Sequence, residues 1–326
     1  MKIKNSTYNP NQSEPFFFGK NKRNTVATIG SFDGVHRGHQ RLLSQVRRIA
    51  DERGLDAIAI TFATSPKKVL GIIDNPQLNT TEERMTLLHQ LGMKEVVVLN
   101  FTPIMAAMTA REFMRQVLKE QLGVKILVIG YDHRFGRGRA EGFDDYVRYG
   151  KDIGIEVVRG EVCIENGEPI SSTRIRNLLS VGNVEQATQL LGCNYTLYGK
   201  VVSGYKEGRK MGFPTANIFP LNSDKLIPSD GVYAVWAIII DERLSINNKR
   251  LPGMLNIGFR PTLNNGRERS IEVHILDFDG DLYDKDITIE FIHRLREEQT
   301  FSGKEKLTEQ LLKDKNRVRE LLATKE

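Results

Sequence analysis

Apolar and polar positions change their period once along the chain, near residue 184, and the two regimes predict two architectures. In the first, short apolar runs alternate with stretches of helical period. Residues 25–30 form an apolar, partly β-branched run of the kind buried in parallel sheets, and Leu42, Leu43, Val46, Ile49 and Ala50 then recur at helical spacing. Residues 57–62, 96–101, 126–130 and 155–159 are further strand candidates. Thr80 with Glu83 and Thr109 with Glu112 make capping-box pairs before apolar-periodic stretches, the second helix ending near Gly123. This predicts an α/β domain whose parallel sheet is covered on both faces. Right-handed crossovers then put residues 30–39, 62–66, 130–138 and those near Ser171 on one rim, beyond the carboxyl ends of the strands.

Asn183 and Gln186 open a short helix that Gly192 should end, and beyond it the pattern is β-rich. Runs at 196–203, 232–240, 251–258, 270–277 and 286–295 are separated by Gly, Pro and Asn clusters, which predicts a closed or nearly closed sheet. Leu307, Leu311, Val318, Leu321 and Leu322 mark a final amphipathic helix packed on it. The expected domains are 1–184 and 185–326.

Length agrees with two domains, since 326 residues supply two cores of ordinary size. Cys163 and Cys193 cannot make a disulfide framework, which suits a reducing cytoplasm. The first residues carry no signal-peptide core and no run reaches membrane-spanning length, so no membrane partner is expected. A net charge of +6 and a pI near 9.2 suit nucleic acid, but equally an enzyme whose substrates are all phosphorylated.

The chemistry concentrates in three segments. In GSFDGVHRGH, Gly30, Gly34 and Gly38 leave backbone N–H groups open to a ligand between a strand and a helix N-terminus, a place suited to phosphate. Phe32 and Asp33 belong to this loop. His36 and His39, three apart, face one way and can donate two more hydrogen bonds; a zinc pair of the HExxH kind needs a different spacing and a Glu. In ISSTRIR, one of Ser171, Ser172 and Thr173 should cap a helix, while the others and the arginines could clamp polyphosphate. By itself that segment reads as an ordinary cap with solvated arginines. In GYKEGRKMGFPTANI, Gly204, Gly208 and Gly212 make a pliable loop, and Thr215 and Asn217 offer hard oxygens to a magnesium–nucleotide complex. Spacing alone would favour a turn between strands there.

GSFDGVHRGH, GYDHRFGRGR, ISSTRIR and PTAN occur in one order, and the chain from about residue 20 onward resembles the bacterial bifunctional riboflavin kinase and FAD synthetase family. The resemblance implies a Rossmann-like nucleotidyltransferase domain followed by a riboflavin kinase barrel, with riboflavin, FMN and ATP as substrates, FAD as product and Mg²⁺ as cofactor. It implies that His36 and His39 bind the ATP phosphates, that Ser172, Thr173 and Arg176 hold the triphosphate and departing pyrophosphate, and that Asp132 and Phe135 lie by the flavin and adenine pockets. In the second domain it implies Thr215 and Asn217 for Mg²⁺ and ATP and Glu272 as catalytic base. Asn256, in NIGFRPT, and Arg296, in RLR, should border the flavin.

Two positions depart from the family pattern. The Pro-His-Pro expected after Thr61 and Phe62 is replaced by Ala63, Thr64, Ser65 and Pro66, and the kinase glycine loop carries Glu207, a carboxylate expected to repel phosphate. These departures motivate one alternative, a single-function enzyme with one degraded half. The basic pI motivates another, a nucleic-acid-binding or regulatory protein on the same scaffold, although the aromatic-interleaved basic stripe of such binders is missing. Oligomeric state is not legible.

Overall fold

A computed structural model describes residues 24–72, 75–204, 208, 211–241, 246–261 and 267–323. The chain forms two compact units: one holds the described residues through Asn75 together with Thr81–Pro169, the other holds Pro76–Thr80 and Ile170 onward.

In the first unit five strands run β1 (Thr25–Ile29), β2 (Asp56–Phe62), β3 (Glu95–Leu99), β4 (Val124–Ile129) and β5 (Glu156–Arg159). They form a parallel sheet of order β3-β2-β1-β4-β5. Alternate residues go to opposite faces, as the pleat requires. Ala27, Ile29, Ile58, Ile60 and Leu127 join one core cluster, with Phe113, Leu118 and Tyr146 from the covering helices. Val26, Ala59, Ile126 and Val128 join the other, against Leu43 and Val46 of helix Arg37–Arg53 and Leu88 of helix Thr81–Gln90. Burial on both faces is why these strands read as continuous apolar runs.

The second of the two expected capping boxes forms. Thr109 and Glu112 close their reciprocal capping box. The helix they open continues over Met114–Gln121 as a π-helix, which a 3.6-residue pattern does not foresee. A hairpin of β6 (Ile164–Glu165) and β7 (Glu168–Pro169) is too short to leave a periodicity.

In the second unit β8 (Tyr195–Val202), β9 (Ala216–Pro220), β10 (Gly231–Ile240), β11 (Arg250–Pro261), β12 (Arg267–Ile275) and β13 (Asp286–Arg296) close an antiparallel barrel of order β10-β11-β12-β9-β8-β13. β10 is buried on both sides. Tyr233, Val235, Ala237 and Ile239 are buried on one face, while Val232, Ala234 and Trp236 pack with Val318 and Leu322 of helix Lys304–Ala323. Helix Ser172–Ser180 packs on helix Val184–Leu191, which lies on β13, so residues 170–183 group with the barrel by contact. Asn183 caps the second of these helices by accepting from the Gln186 N–H, and Gly192 ends it at φ +80°.

Candidate active sites

The loop after β1 is held in a conformation most residues avoid. Phe32, Gly34 and Val35 have φ of +47°, +82° and +39°. Gly34 adopts this freely, but for Phe32 and β-branched Val35 it stores strain, on the order of 1–3 kcal/mol each. Their side chains, 1% and 2% exposed, are packed into the core and hold them there. The Val35 N–H donates to the Phe32 carbonyl at 3.0 Å, closing a turn over Asp33 and Gly34, and Gln40 Nε2 donates to the Val35 carbonyl at 3.0 Å.

His36 caps helix Arg37–Arg53: its Nδ1 accepts from the His39 N–H at 3.3 Å. The proton of the neutral ring therefore sits on Nε2, and that nitrogen is the donor. The two imidazoles stack with centroids 3.7 Å apart and planes 16° from parallel, and Phe32 meets His39 edge-on at 5.3 Å. His39 is held well below the ordinary imidazole range, first by loss of hydration and then by the charges of His36, His133 and Arg84. His133, on the loop after β4, is pushed down to about 4 by burial and then by Arg139. His39 Nδ1 and His133 Nε2 are buried and have no hydrogen-bond partner among the described residues.

Sequence reasoning passes over two residues beneath this loop. Arg84, on helix Thr81–Gln90 and 6% exposed, donates from Nη1 to the Ser31 carbonyl at 2.9 Å and from Nη2 to the Phe62 carbonyl at 2.9 Å and Thr81 Oγ1 at 3.2 Å. Thr61, fully buried, donates to the same Ser31 carbonyl at 3.3 Å. Arg84 looks like any helix charge in the sequence, because the carbonyls it serves are 22 and 53 positions away. At the departure from Pro-His-Pro, Ser65 precedes the short helix Pro66–Val69 with no side-chain cap bond.

Of the other first-unit residues, Asp33 is buried and Asp132 exposed. The Phe135 ring stacks on Tyr146 with centroids 4.3 Å apart, and the Tyr146 hydroxyl accepts from the Phe135 N–H at 3.0 Å, so one face of this ring is built into the core. The loops after β1, β2 and β4 share the carboxyl edge of the parallel sheet. The ISSTRIR segment lies in the other unit. There Ser171 is the cap, accepting from the Arg174 N–H at 3.3 Å; Ser172 and Thr173 begin the helix, and Arg176 Nε donates to the Pro76 carbonyl at 2.8 Å.

The barrel brings its candidates together. Asn256 on β11 pairs with Glu272 on β12, which pairs with Asn217 on β9, so three polar side chains form one cross-strand row. Thr215, two residues before Asn217, donates from Oγ1 to Glu272 Oε2 at 3.1 Å. Gly204 approaches the Asn217 side chain so closely that a Cβ there would collide with it, and a Cβ at Gly208 would strike the Phe213 carbonyl. Gly212, at φ +79°, allows the turn into the strand. The PTAN segment thus enters a strand, β9, as well as a loop. Glu207 lies outside the described residues. Arg296 points its guanidinium at Asp314 of the last helix, 2.9 Å away, the arginine partly buried and the carboxylate buried. Its charge tethers that helix to β13. Asn256 Nδ2 reaches Glu298 at 3.4 Å beside a cleft of about 560 Å³ lined by Phe259, Glu298 and Phe301.

A glycine loop with a histidine-capped helix on a parallel sheet, followed by a barrel with a hydroxyl–carboxylate–amide row, defines a two-domain transferase that handles nucleotides. The FAD synthetase family model matches residues 19–174 and the riboflavin kinase family model matches residues 191–322. The chain is 37% identical over 296 residues to the bifunctional riboflavin kinase/FMN adenylyltransferase of Escherichia coli strain K12, covering 90% of this chain and 92% of the relative. It is 37% identical over 298 residues to that of Bacillus subtilis strain 168, covering 89% and 90%. The chain belongs to the bifunctional riboflavin kinase/FMN adenylyltransferase family. A crystal structure named as a macrolide-efflux protein from Streptococcus pneumoniae shares the fold at a TM-score of 0.82 and 31% identity, covering 93% of this chain and 95% of that one. The efflux in that name is said of that protein; no helix among the described residues here is long and apolar enough to cross a membrane.

Proposed function

We propose that the barrel phosphorylates riboflavin to FMN and that the α/β domain transfers AMP from a second ATP to FMN, giving FAD and pyrophosphate. The carrying observation is the convergence of Asn217, Asn256 and Glu272, drawn from three separate sequence segments, on one row of the barrel, with Thr215 hydrogen-bonded to Glu272.

In the kinase step the ribityl hydroxyl oxygen attacks the γ-phosphorus, the bond to the β-phosphate oxygen breaks, and the hydroxyl proton passes to the Glu272 carboxylate. The Thr215 hydroxyl orients that carboxylate. Among the described residues no cluster of three or more His, Cys, Asp or Glu stands ready for a metal. The donors present, the Thr215 hydroxyl and the Asn217 amide, are hard oxygens, which fit Mg²⁺ held mainly by nucleotide phosphates and water. When bound, Mg²⁺ would supply charge neutralisation at those phosphates.

In the adenylylation step a phosphate oxygen of FMN attacks the α-phosphorus of ATP. The attacking oxygen already carries charge, so no base and no covalent intermediate is needed, and catalysis is positioning and charge stabilisation. Loop residues 30–34 and the imidazoles of His36 and His39 serve the ATP phosphates. Ser172, Thr173 and Arg176 are assigned to ATP in the same step on their motif, and Asp132 and Phe135 to the flavin and adenine. Asn256 and Arg296 are assigned to riboflavin in the barrel, Asn256 by contact and Arg296 by fixing the last helix. A cytoplasmic setting and the lack of nucleic-acid and membrane partners belong to the same proposal. Incubation with riboflavin, ATP and Mg²⁺ and separation of the flavins by chromatography tests it: FMN should appear first, then FAD. Accumulation of FMN alone would favour a degraded α/β half.

A further inference from the structure

Burying a guanidinium is costly unless every donor is used well. Arg84 directs its fork at main-chain carbonyls of two strand ends, Ser31 after β1 and Phe62 at the end of β2. Thr81 Oγ1, which accepts from the same guanidinium, donates to the Ala63 carbonyl at 3.2 Å, so the helix start, the guanidinium and both loops form one network. Burial disfavours the Arg84 charge, and the nearby carboxylates of Asp33 and Glu82 partly offset this. A cation kept there at such cost, below a loop with two strained non-glycine residues, calls for a reason beyond packing.

Peptide planarity supplies the reason. Holding the Ser31 carbonyl toward Arg84 turns the N–H of Phe32 to the opposite side. The Phe32 ring then meets His39. We infer that Arg84 is a positioning residue for adenylylation: by gripping the Ser31 and Phe62 carbonyls it sets the orientation of the Ser31–Phe32 peptide and, through Phe32, of His39, and so the geometry in which the loop meets ATP phosphate. Arg84 itself does not touch the nucleotide. The inference rests on the reading of residues 30–39 as the ATP loop of the α/β domain.

The test uses the full chain, whose riboflavin kinase activity is an internal control. In Arg84→Met the KM for ATP in FAD formation from FMN should rise and kcat/KM fall by about 10²-fold, the usual effect of a misplacement near 1 Å, with the kinase unchanged. Arg84→Lys, which keeps the charge and can donate to both carbonyls, should recover most of the loss. Thr61→Val removes the second donor to the Ser31 carbonyl without touching a charge, and should raise the same KM by a smaller factor. A merely structural role would reduce the amount of folded enzyme, lowering kcat and leaving KM for ATP in place; that outcome overturns the inference. Wild-type adenylylation by folded Arg84→Met overturns it too, as does a wild-type KM in Thr61→Val where Arg84→Met does not fold. If the unmodified chain forms no FAD from FMN and ATP, the reading of the loop falls together with the inference, whereas normal FAD formation by both unmodified chain and Arg84→Met removes the inference alone.

Discussion

Glu272→Gln separates chemistry from architecture in the kinase half, because the structure gives the two effects different sizes. Glutamine keeps the shape and leaves an amide oxygen that can still accept from Thr215 Oγ1, now 3.1 Å from the carboxylate. A charge-assisted hydrogen bond becomes a neutral one, a change of about 1 kcal/mol in stability. Turnover is affected far more, because an amide cannot take the ribityl proton: a general base contributes roughly 10²–10⁴-fold, equivalent to about 3–5 kcal/mol of barrier. Steady-state riboflavin phosphorylation should therefore collapse while the urea midpoint barely moves and FAD formation from added FMN is unchanged. Thr215→Val supplies the second edge of the cycle. It should weaken ATP binding and disorient the carboxylate, and the double variant should cost less than the sum of the two single losses, because both act on one group. Full phosphorylation by Glu272→Gln would remove Glu272 from the chemistry and leave the row as a structural feature of the barrel.

Ile175 and Leu179 of helix Ser172–Ser180 are fully buried, worth about 1.5–3 kcal/mol each before the cost of ordering the helix, so a fragment starting at Ile170 should resist urea better than one starting at Glu185. Equal midpoints would place the boundary of the barrel unit at 184/185. His36→Ala and His39→Ala should each slow adenylylation by about 10²-fold or more and spare the kinase, as expected for loss of an oriented donor; equal damage to both activities would indicate misfolding instead. His133, held at about 4 in the folded chain against 6.5 when free, binds a proton between those values only when unfolded. Folding stability should therefore fall as pH drops through that window, by about 2 kcal/mol at pH 5 from this group, and His133→Phe should flatten the dependence in urea melts at pH 7 and pH 5.

How far the sequence carries depends on whether an element is specified by its own residues. The parallel strands are continuous apolar runs because both faces are buried, so β1 to β5 are legible within a residue or two of their ends. The caps at Thr109 and Asn183 are equally legible, since donor and acceptor lie three residues apart. β9 is not: it holds Pro220 and pairs with β12 through only two residues, Asn217 and Ala216, so nothing in Ala216–Pro220 distinguishes it from the glycine loop before it. The kinase row could be assembled only from family motifs, because Asn217, Glu272 and Asn256 become neighbours through strand register.

Arg84 and Arg296 mark the same limit for charged residues, and their fates explain why an arginine's role depends on what its fork meets. Arg296 resembles a ligand-binding residue in its motif, yet it meets a buried carboxylate, Asp314, which in turn accepts from Gln310 Nε2 at 2.8 Å, and this pins a helix. Removing one partner there would strand a buried charge, so its loss should first be felt as instability. Arg84 resembles a surface charge in its sequence, yet it meets two carbonyls at the mouth of the sheet. Carbonyls cannot neutralise it, and what Asp33 and Glu82 leave of its charge adds, after burial and the charges of His36 and His133, to keeping His39 from protonation. On the proposed assignment a neutral imidazole can donate to phosphate without repelling its stacked neighbour, so the buried cation and the paired histidines would form one electrostatic arrangement, with the positive charge below the loop and the hydrogen-bond donors on it.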